Sequence, residues 1–320
     1  MLRLNEKMKS REIVIFTQFF IVLLTQILFT VGVLTPFDSE GYNYCFENSG
    51  FTIWEPGFQL VCDITSSIND KFYSQLLGRL ISIVPTLILL VVVSKKDLHA
   101  SAYLFLVIFG LVLGGYRQLI SVSILGIVFV VFDKANIKGF LLSCFAFLTH
   151  YSSVVAVVIY IILRNLKLSS VNYFLILSSL VFIPVFIKYL VSLDFFTYIY
   201  IPESWVQYLT GTYVVDDTDY YVTAKIILVI QSIFAISIVV FSRQMSVSKD
   251  DARLLIVLEA IFIAVCFSVD YIITARFGIY IRLLEMKFIL MDSYDKNIKL
   301  AFIFIAFMRL TTLLYNSSLS

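Results

Sequence analysis

A succession of long apolar runs constrains this chain more than any other feature. The first, Ile13 to Leu34, contains 22 residues and no ionisable side chain. A helix rising 1.5 Å per residue needs ~20 apolar residues to cross a hydrocarbon layer of ~30 Å. The same criterion selects roughly 76–94, 100–114, 116–133, 170–191, 223–242, 253–272, 277–291 and 298–315. A cleaved secretory signal has a core of only ~7–15 apolar residues and ends in small residues. Here the run follows the polar, basic stretch MLRLNEKMKSRE and ends in Thr-Pro-Phe-Asp, so an uncleaved spanning helix is expected.

Composition agrees. The 320 residues are 60% hydrophobic and 14% charged, against ~45–50% and ~25% in soluble domains. A water-soluble globule of this size cannot hide so much apolar surface, which excludes a soluble nucleotide-binding enzyme, a nucleic-acid binder and a secreted disulfide scaffold. The expected fold class is all-α: a polytopic integral membrane protein with about 9–11 transmembrane helices in a single membrane domain over 1–320. No internal repeat and no separate soluble domain are visible.

Segment 138–163 is apolar except at its centre, Thr149-His150-Tyr151-Ser152-Ser153. Each half is too short to cross alone, so a re-entrant pair or broken helix with His150 at the turn is expected; polar backbone at that depth has to line a cavity or pack in protein. Lys and Arg fix the orientation. With Arg3, Lys7, Lys9 and Arg11 inside, alternating crossings also place Lys95, Lys96, Lys134, Lys138, Arg164 and Lys167 inside, and in all 16 of the 24 basic residues. Two acidic, aromatic loops, about 35–75 and 192–222, then face outside. Cys45 and Cys62 share the first of them and are able to pair if it faces an oxidising compartment.

Charges inside or at the ends of spanning helices are expensive and mark candidate sites. Arg79, Arg117 and Arg276 fall near outer helix ends in this topology. Arg117 and Gln118 follow Gly114-Gly115 and open a helix, and Arg276 also opens one, followed by Tyr280. A guanidinium presents a rigid fork matched to phosphate oxygens, so these arginines suit a lipid-linked pyrophosphate. Lys188, Lys225, Arg282 and Arg309 read instead as snorkelling or helix-pairing residues. His150, beside three hydroxyls, is placed to orient or deprotonate a sugar hydroxyl, or as a cation to bind phosphate. The first outer loop offers Asp38 and Glu55 as acids, with Tyr42 and Trp54 as stacking faces for sugar. Glu55-Pro56-Gly57 forces a turn that fixes the carboxylate. Asp216-Asp217-Thr218-Asp219 is a possible oxygen-ligand set, but it reads better as a solvated loop, and no metal or cofactor is assigned.

Taken in order, Asp38 with Tyr42, Glu55-Pro56-Gly57-Phe58, Arg117-Gln118, His150-Tyr151-Ser152 and Arg276 with Tyr280 resemble the motifs of the EpsG family, among the Wzy-like polysaccharide polymerases of bacterial envelopes. The resemblance runs from about 14 to 300. It implies a membrane fold like that of the GT-C glycosyltransferases. It also implies polymerisation of undecaprenyl-pyrophosphate-linked oligosaccharide repeat units (O-antigen, capsule or exopolysaccharide) on the outer face of the inner membrane. Arg117, His150 and Arg276 match the family's active-site positions. The implied partners are a lipid-linked donor, a lipid-linked acceptor, a chain-length regulator and a flippase, with no nucleic acid. The residues alone also admit an O-antigen ligase or other GT-C-type transferase, or a lipid-linked oligosaccharide transporter. They leave open whether His150, Glu55 or Asp38 is the base.

Overall fold

In a computed structural model of the chain, the described residues are 2–35, 39–48, 55–131, 137–151, 153, 218–242, 249–268, 278–283, 285–286, 289–290 and 296–317, with isolated positions between 175 and 189. They include ten helices and no strand. The chain divides into two compact units, Met1–Val157 and Val158–Ser320; the division falls within the 138–163 segment.

The first unit holds α1 (Leu2–Thr30), α2 (Ser39–Glu47), α3 (Pro56–Ser66), α4 (Lys71–Lys96), α5 (Leu98–Val112), α6 (Tyr116–Val131) and α7 (Ile137–Thr149). The second holds α8 (Thr218–Ser242), α9 (Lys249–Ser268) and α10 (Lys296–Ser317), with further helical residues at 278–283 and 285–286. Arg11–Thr30, Lys71–Lys96 and Val222–Phe241 are long and apolar enough to cross a membrane, and Leu98–Val112, Tyr116–Val131, Ile137–Thr149 and Leu255–Phe267 are shorter apolar helices. The chain is an all-α polytopic membrane protein.

The patterning of α1 is inverted relative to a soluble helix. Phe16, Phe20, Leu24 and Ile27 lie exposed along one face, whereas Gln18, Thr25 and Gln26 are buried. The apolar face suits lipid. The inward amides are satisfied, Gln18 by Ser101 and Gln26 by the Val112 carbonyl at 3.1 Å. Those pairs set α1 parallel to α5. In the same way Thr86 meets Ser123 at 2.7 Å, Lys96 Nζ donates to the Val130 carbonyl, and Arg79 donates to the Tyr116 hydroxyl, so α4 and α6 run parallel. The α4–α5 corner is a single residue, Asp97, whose carboxylate accepts the His99 and Ala100 amides as an N-cap.

This register has one structural consequence that matters for function. Residue 79 of α4 stands level with residue 116 of α6, so 71–78 projects about two turns beyond the start of α6. The turn from α5 into α6 stays below that end, closed by Gly114 at φ +146°, a conformation glycine adopts without a Cβ penalty. Helix α2 packs against the projecting turns. Ser74 Oγ donates to the Phe46 carbonyl, Lys71 pairs with Glu47 at 3.1 Å, and the Phe46 ring lies directly on Gly78. The buried Cys45–Cys62 disulfide then ties α2 to α3. The stretch 35–75, expected as a long outer loop, is in its described parts a covalently tied helical pair leading into α4.

Helix α3 begins with Pro56 at its first turn, where a missing N–H costs nothing. It approaches α7 so closely that a Cβ on Gly57 would stand 2.9 Å from the Leu148 carbonyl carbon and oxygen. Backbone cannot move aside as a side-chain tip can, so Gly57→Ala is expected to cost about 1–3 kcal/mol, read as a lower melting temperature in detergent. An unchanged melting temperature would contradict the α3–α7 contact.

Candidate active site

Three chain breaks meet at one end of the first unit: the start of α3, the start of α6 and the end of α7. Glu55 occupies the N-cap position of α3 but makes no side-chain cap bond. Its carboxylate turns to its neighbours instead. Arg117 Nη1 donates to Oε2 at 2.7 Å, and His150 Nδ1 stands 3.0 Å from Oε1. Glu55 and His150 are each 7% exposed, whereas the Arg117 side chain retains 23% exposure. Arg117 is thus the member of the trio that stays partly open.

Each side chain arrives through local chemistry. Helix α7 ends at Thr149, whose hydroxyl turns back to the Ala146 carbonyl at 2.8 Å. The next residue, His150, lies just past the helix end; residues 154–163, the second half of the segment expected to be re-entrant or broken, lie outside the described residues. Arg117 sits one residue into α6 after the glycine turn. Tyr42 lies in a buried aromatic cluster with Phe46, Phe58 and Tyr116, its ring 5.0 Å from that of Tyr116 and edge-on to it, and its hydroxyl also bonds Arg117. Tyr42, expected as a stacking face for sugar, is therefore packed in protein beside the arginine.

Arg79 also lies differently from expectation. Instead of opening outward it is 1% exposed, with Nη1 on the Tyr116 hydroxyl at 3.0 Å and Nη2 on Asn43 Oδ1 at 2.6 Å. Tyr116 in turn donates to Gln26 Oε1 at 2.6 Å. No carboxylate among the described residues pairs with Arg79. The physical reason is the helix offset: α2 covers the turns of α4 above it, and the guanidinium reaches inward to α6. Holding a cation away from water is costly, and this one lies beneath the turn that presents Arg117.

Gln118 is buried in α6 and Tyr280 is buried in the second unit. Asp38, Trp54 and Arg276 lie outside the described residues, as do the side chains of Asp216, Asp217 and Asp219. Among the described residues no cluster is arranged to hold a metal ion. Two acids absent from the sequence reading appear in the second unit, Glu259 and Glu285, both fully buried and paired to Arg282. Acids inside apolar runs, one of them three residues after an arginine, are the signal that would have found them.

Burial pushes the Glu55 carboxyl up, but the His150 hydrogen bond and the charges of Arg117 and His150 outweigh it and hold the group down at about 2. A carboxylate with a folded value below its unfolded value of 4.5 stabilises the fold above that unfolded value, and the contribution is lost as pH falls from about 4.5 to 2. A shift of this size corresponds to about 3 kcal/mol. Glu55→Gln is therefore expected to melt well below wild type at pH 7, the gap closing towards pH 2; a gap independent of pH would show that the charge plays no part.

A family model, that of the EpsG family, matches residues 13–319. No curated protein and no solved structure matches the chain. The match spans nearly the entire sequence, including every residue of the Glu55–Arg117–His150 trio: this chain belongs to the EpsG family, whose members are Wzy-like polymerases.

Proposed function

We propose that this chain polymerises oligosaccharide repeat units carried on undecaprenyl pyrophosphate, at the outer face of a bacterial inner membrane, with a GT-C-like fold. The observation that carries the reading is the buried Glu55 carboxylate shared between Arg117 and His150. Transfer forms a bond from an acceptor hydroxyl oxygen to the donor's anomeric carbon and breaks the bond from that carbon to the pyrophosphate oxygen. Two tasks follow: removing the hydroxyl proton and stabilising charge on the departing pyrophosphate.

His150 performs the first. Glu55 accepts from Nδ1–H, which leaves the lone pair on Nε2 to take the proton. Glu55, held as a carboxylate well below neutrality, orients the imidazole and stabilises its cation; it is too weak a base to do the work itself. Arg117 performs the second task as a preorganised donor; the resemblance of the late motif to the family's assigns Arg276 to the pyrophosphate as well. Tyr42 orients Arg117, and Arg79 braces the start of α6 through the Tyr116 hydroxyl. Of the remaining site candidates, Asp38 and Trp54 are assigned to acceptor and sugar contacts; Gln118 and Tyr280, expected at the sugar, are buried in protein.

Two features support the outward orientation. The Cys45–Cys62 disulfide belongs to the helical pair that carries Glu55, and disulfides persist in oxidising compartments. Lys95 and Lys96 lie at the far end of α4, as the positive-inside rule requires. A chain-length regulator and a flippase are expected partners by analogy with the resemblance.

The test is surface-glycan length in a deletion strain. Wild type restores the ladder. Arg117→Ala and His150→Ala, at equal membrane levels, are expected to leave single repeat units, with a fall of at least about a hundredfold in polymer for His150→Ala. A deletion strain that still builds polymer on the carrier but never moves it to lipid core would point to a ligase. Full rescue by both variants would remove the site.

A further inference from the structure

Helix α3 is too short to cross a membrane, and its surface divides three ways. Its 11 residues extend only about 16 Å. Gly57, Phe58, Val61, Cys62 and Thr65 form the buried face. That face meets α7 at Gly57, the Tyr42 and Phe46 rings at Phe58, and Cys45 at Cys62. The rest of the helix carries two stripes at i, i+4 spacing, rotated from each other by about 100°. Leu60 and Ile64 make an exposed apolar stripe. Gln59 and Asp63 make a polar one, joined by a hydrogen bond of 2.9 Å, and Ser66 and the exposed Ser67 continue it. A helix packed on protein with water outside has an inner and an outer face only. One lying in the plane of a membrane surface meets protein, water and hydrocarbon at once.

The level at which α3 is held agrees. Helix α4 has 26 residues and rises about 39 Å, against a hydrocarbon layer of ~30 Å. With Lys95 and Lys96 at the inner surface, where the positive-inside rule puts them, its first turn reaches the outer headgroups. Phe72 and Tyr73 are exposed in that turn, and aromatic side chains favour this depth. Helix α2 is fastened to the same end of α4 through Ser74 and Lys71. Helix α3 is tied to α2 by the disulfide and packs on α4.

We propose that α3 is an interfacial helix, with its Leu60–Ile64 stripe seated in the outer leaflet where acyl chains meet headgroups and its Gln59–Asp63 stripe facing water. Phospholipid is the occupant that fits. Two side chains bury far less than the ~800 Å² per partner of a stable protein interface. A membrane seat needs no such area, because the spanning helices already hold the chain in the bilayer. Glu55, which caps the start of α3, is thereby held at the level of the headgroups. The seat does not depend on the polymerase reading, and its test needs no turnover.

The experiment places one nitroxide label on full-length protein in phosphatidylcholine liposomes, at Leu60→Cys, Asp63→Cys, Ile64→Cys or Ser67→Cys. Each change is made in a Cys144→Ser, Cys266→Ser background that keeps the disulfide. Collision with oxygen, which partitions into lipid, and with a water-soluble nickel complex is read by power-saturation EPR. Labels at 60 and 64 are expected to meet oxygen and escape nickel, at a depth of about 5–10 Å into the headgroup and acyl boundary; labels at 63 and 67 are expected to meet nickel. If nickel reaches 60 and 64 as readily as 63 and 67, the stripe faces water and the proposal falls. If both reagents are shut out at 60 and 64, protein covers the stripe and the proposal falls equally. Should the cysteine background not fold, Leu60→Trp and Asp63→Trp in the otherwise native chain decide the matter. Phosphatidylcholine brominated near the top of its acyl chains is expected to quench the added fluorescence of the first more than that of the second; equal quenching overturns the proposal.

Discussion

The candidate site depends on one buried carboxylate with two partners. Glu55 leaves the capping role its position offers and bridges an arginine and a histidine, drawing together α3, α6 and α7. Removing either partner leaves a charge largely out of water, so the arrangement ties the geometry of the site to the stability of the fold. Much of the first unit can be read as support for that contact. The disulfide joins α2 to α3, Gly57 lets α3 reach α7, and the glycine turn holds the start of α6 below the projecting end of α4.

Spanning helices were legible from sequence because hydrocarbon thickness dictates their length and their lipid-facing side chains have to be apolar. The end of α7 at Thr149 coincides with the polar centre that set 138–163 apart in the sequence. The helices inside 35–75 were missed because they are short and compositionally mixed. Their signals were present but local: Pro56 at a first helical turn, and Asp70, whose carboxylate accepts the Tyr73 amide.

Arg79 and Tyr42 show what no reading along the chain could supply. Arg79 was placed near the substrate by its position close to an outer helix end, and Tyr42 by its place in the first outer loop. Their actual roles follow from the offset of α4 past α6, which is set by side-chain pairs such as Thr86 with Ser123 and Lys96 with Val130. Offsets between helices are properties of packing and leave little trace in hydrophobic periodicity. Glu259 and Glu285 are the opposite case: each was visible in an apolar run, and their pairing makes Arg282 and Arg309 parts of one buried network instead of residues reaching for headgroups.

The most direct measurement is polymerisation by the purified full-length protein, reconstituted with undecaprenyl-pyrophosphate-linked repeat units as both donor and acceptor. The account predicts lengthening chains on the carrier, one undecaprenyl pyrophosphate released per bond formed, and loss of both with His150→Ala. Release of carrier without chain growth, or growth undiminished in His150→Ala, would contradict it.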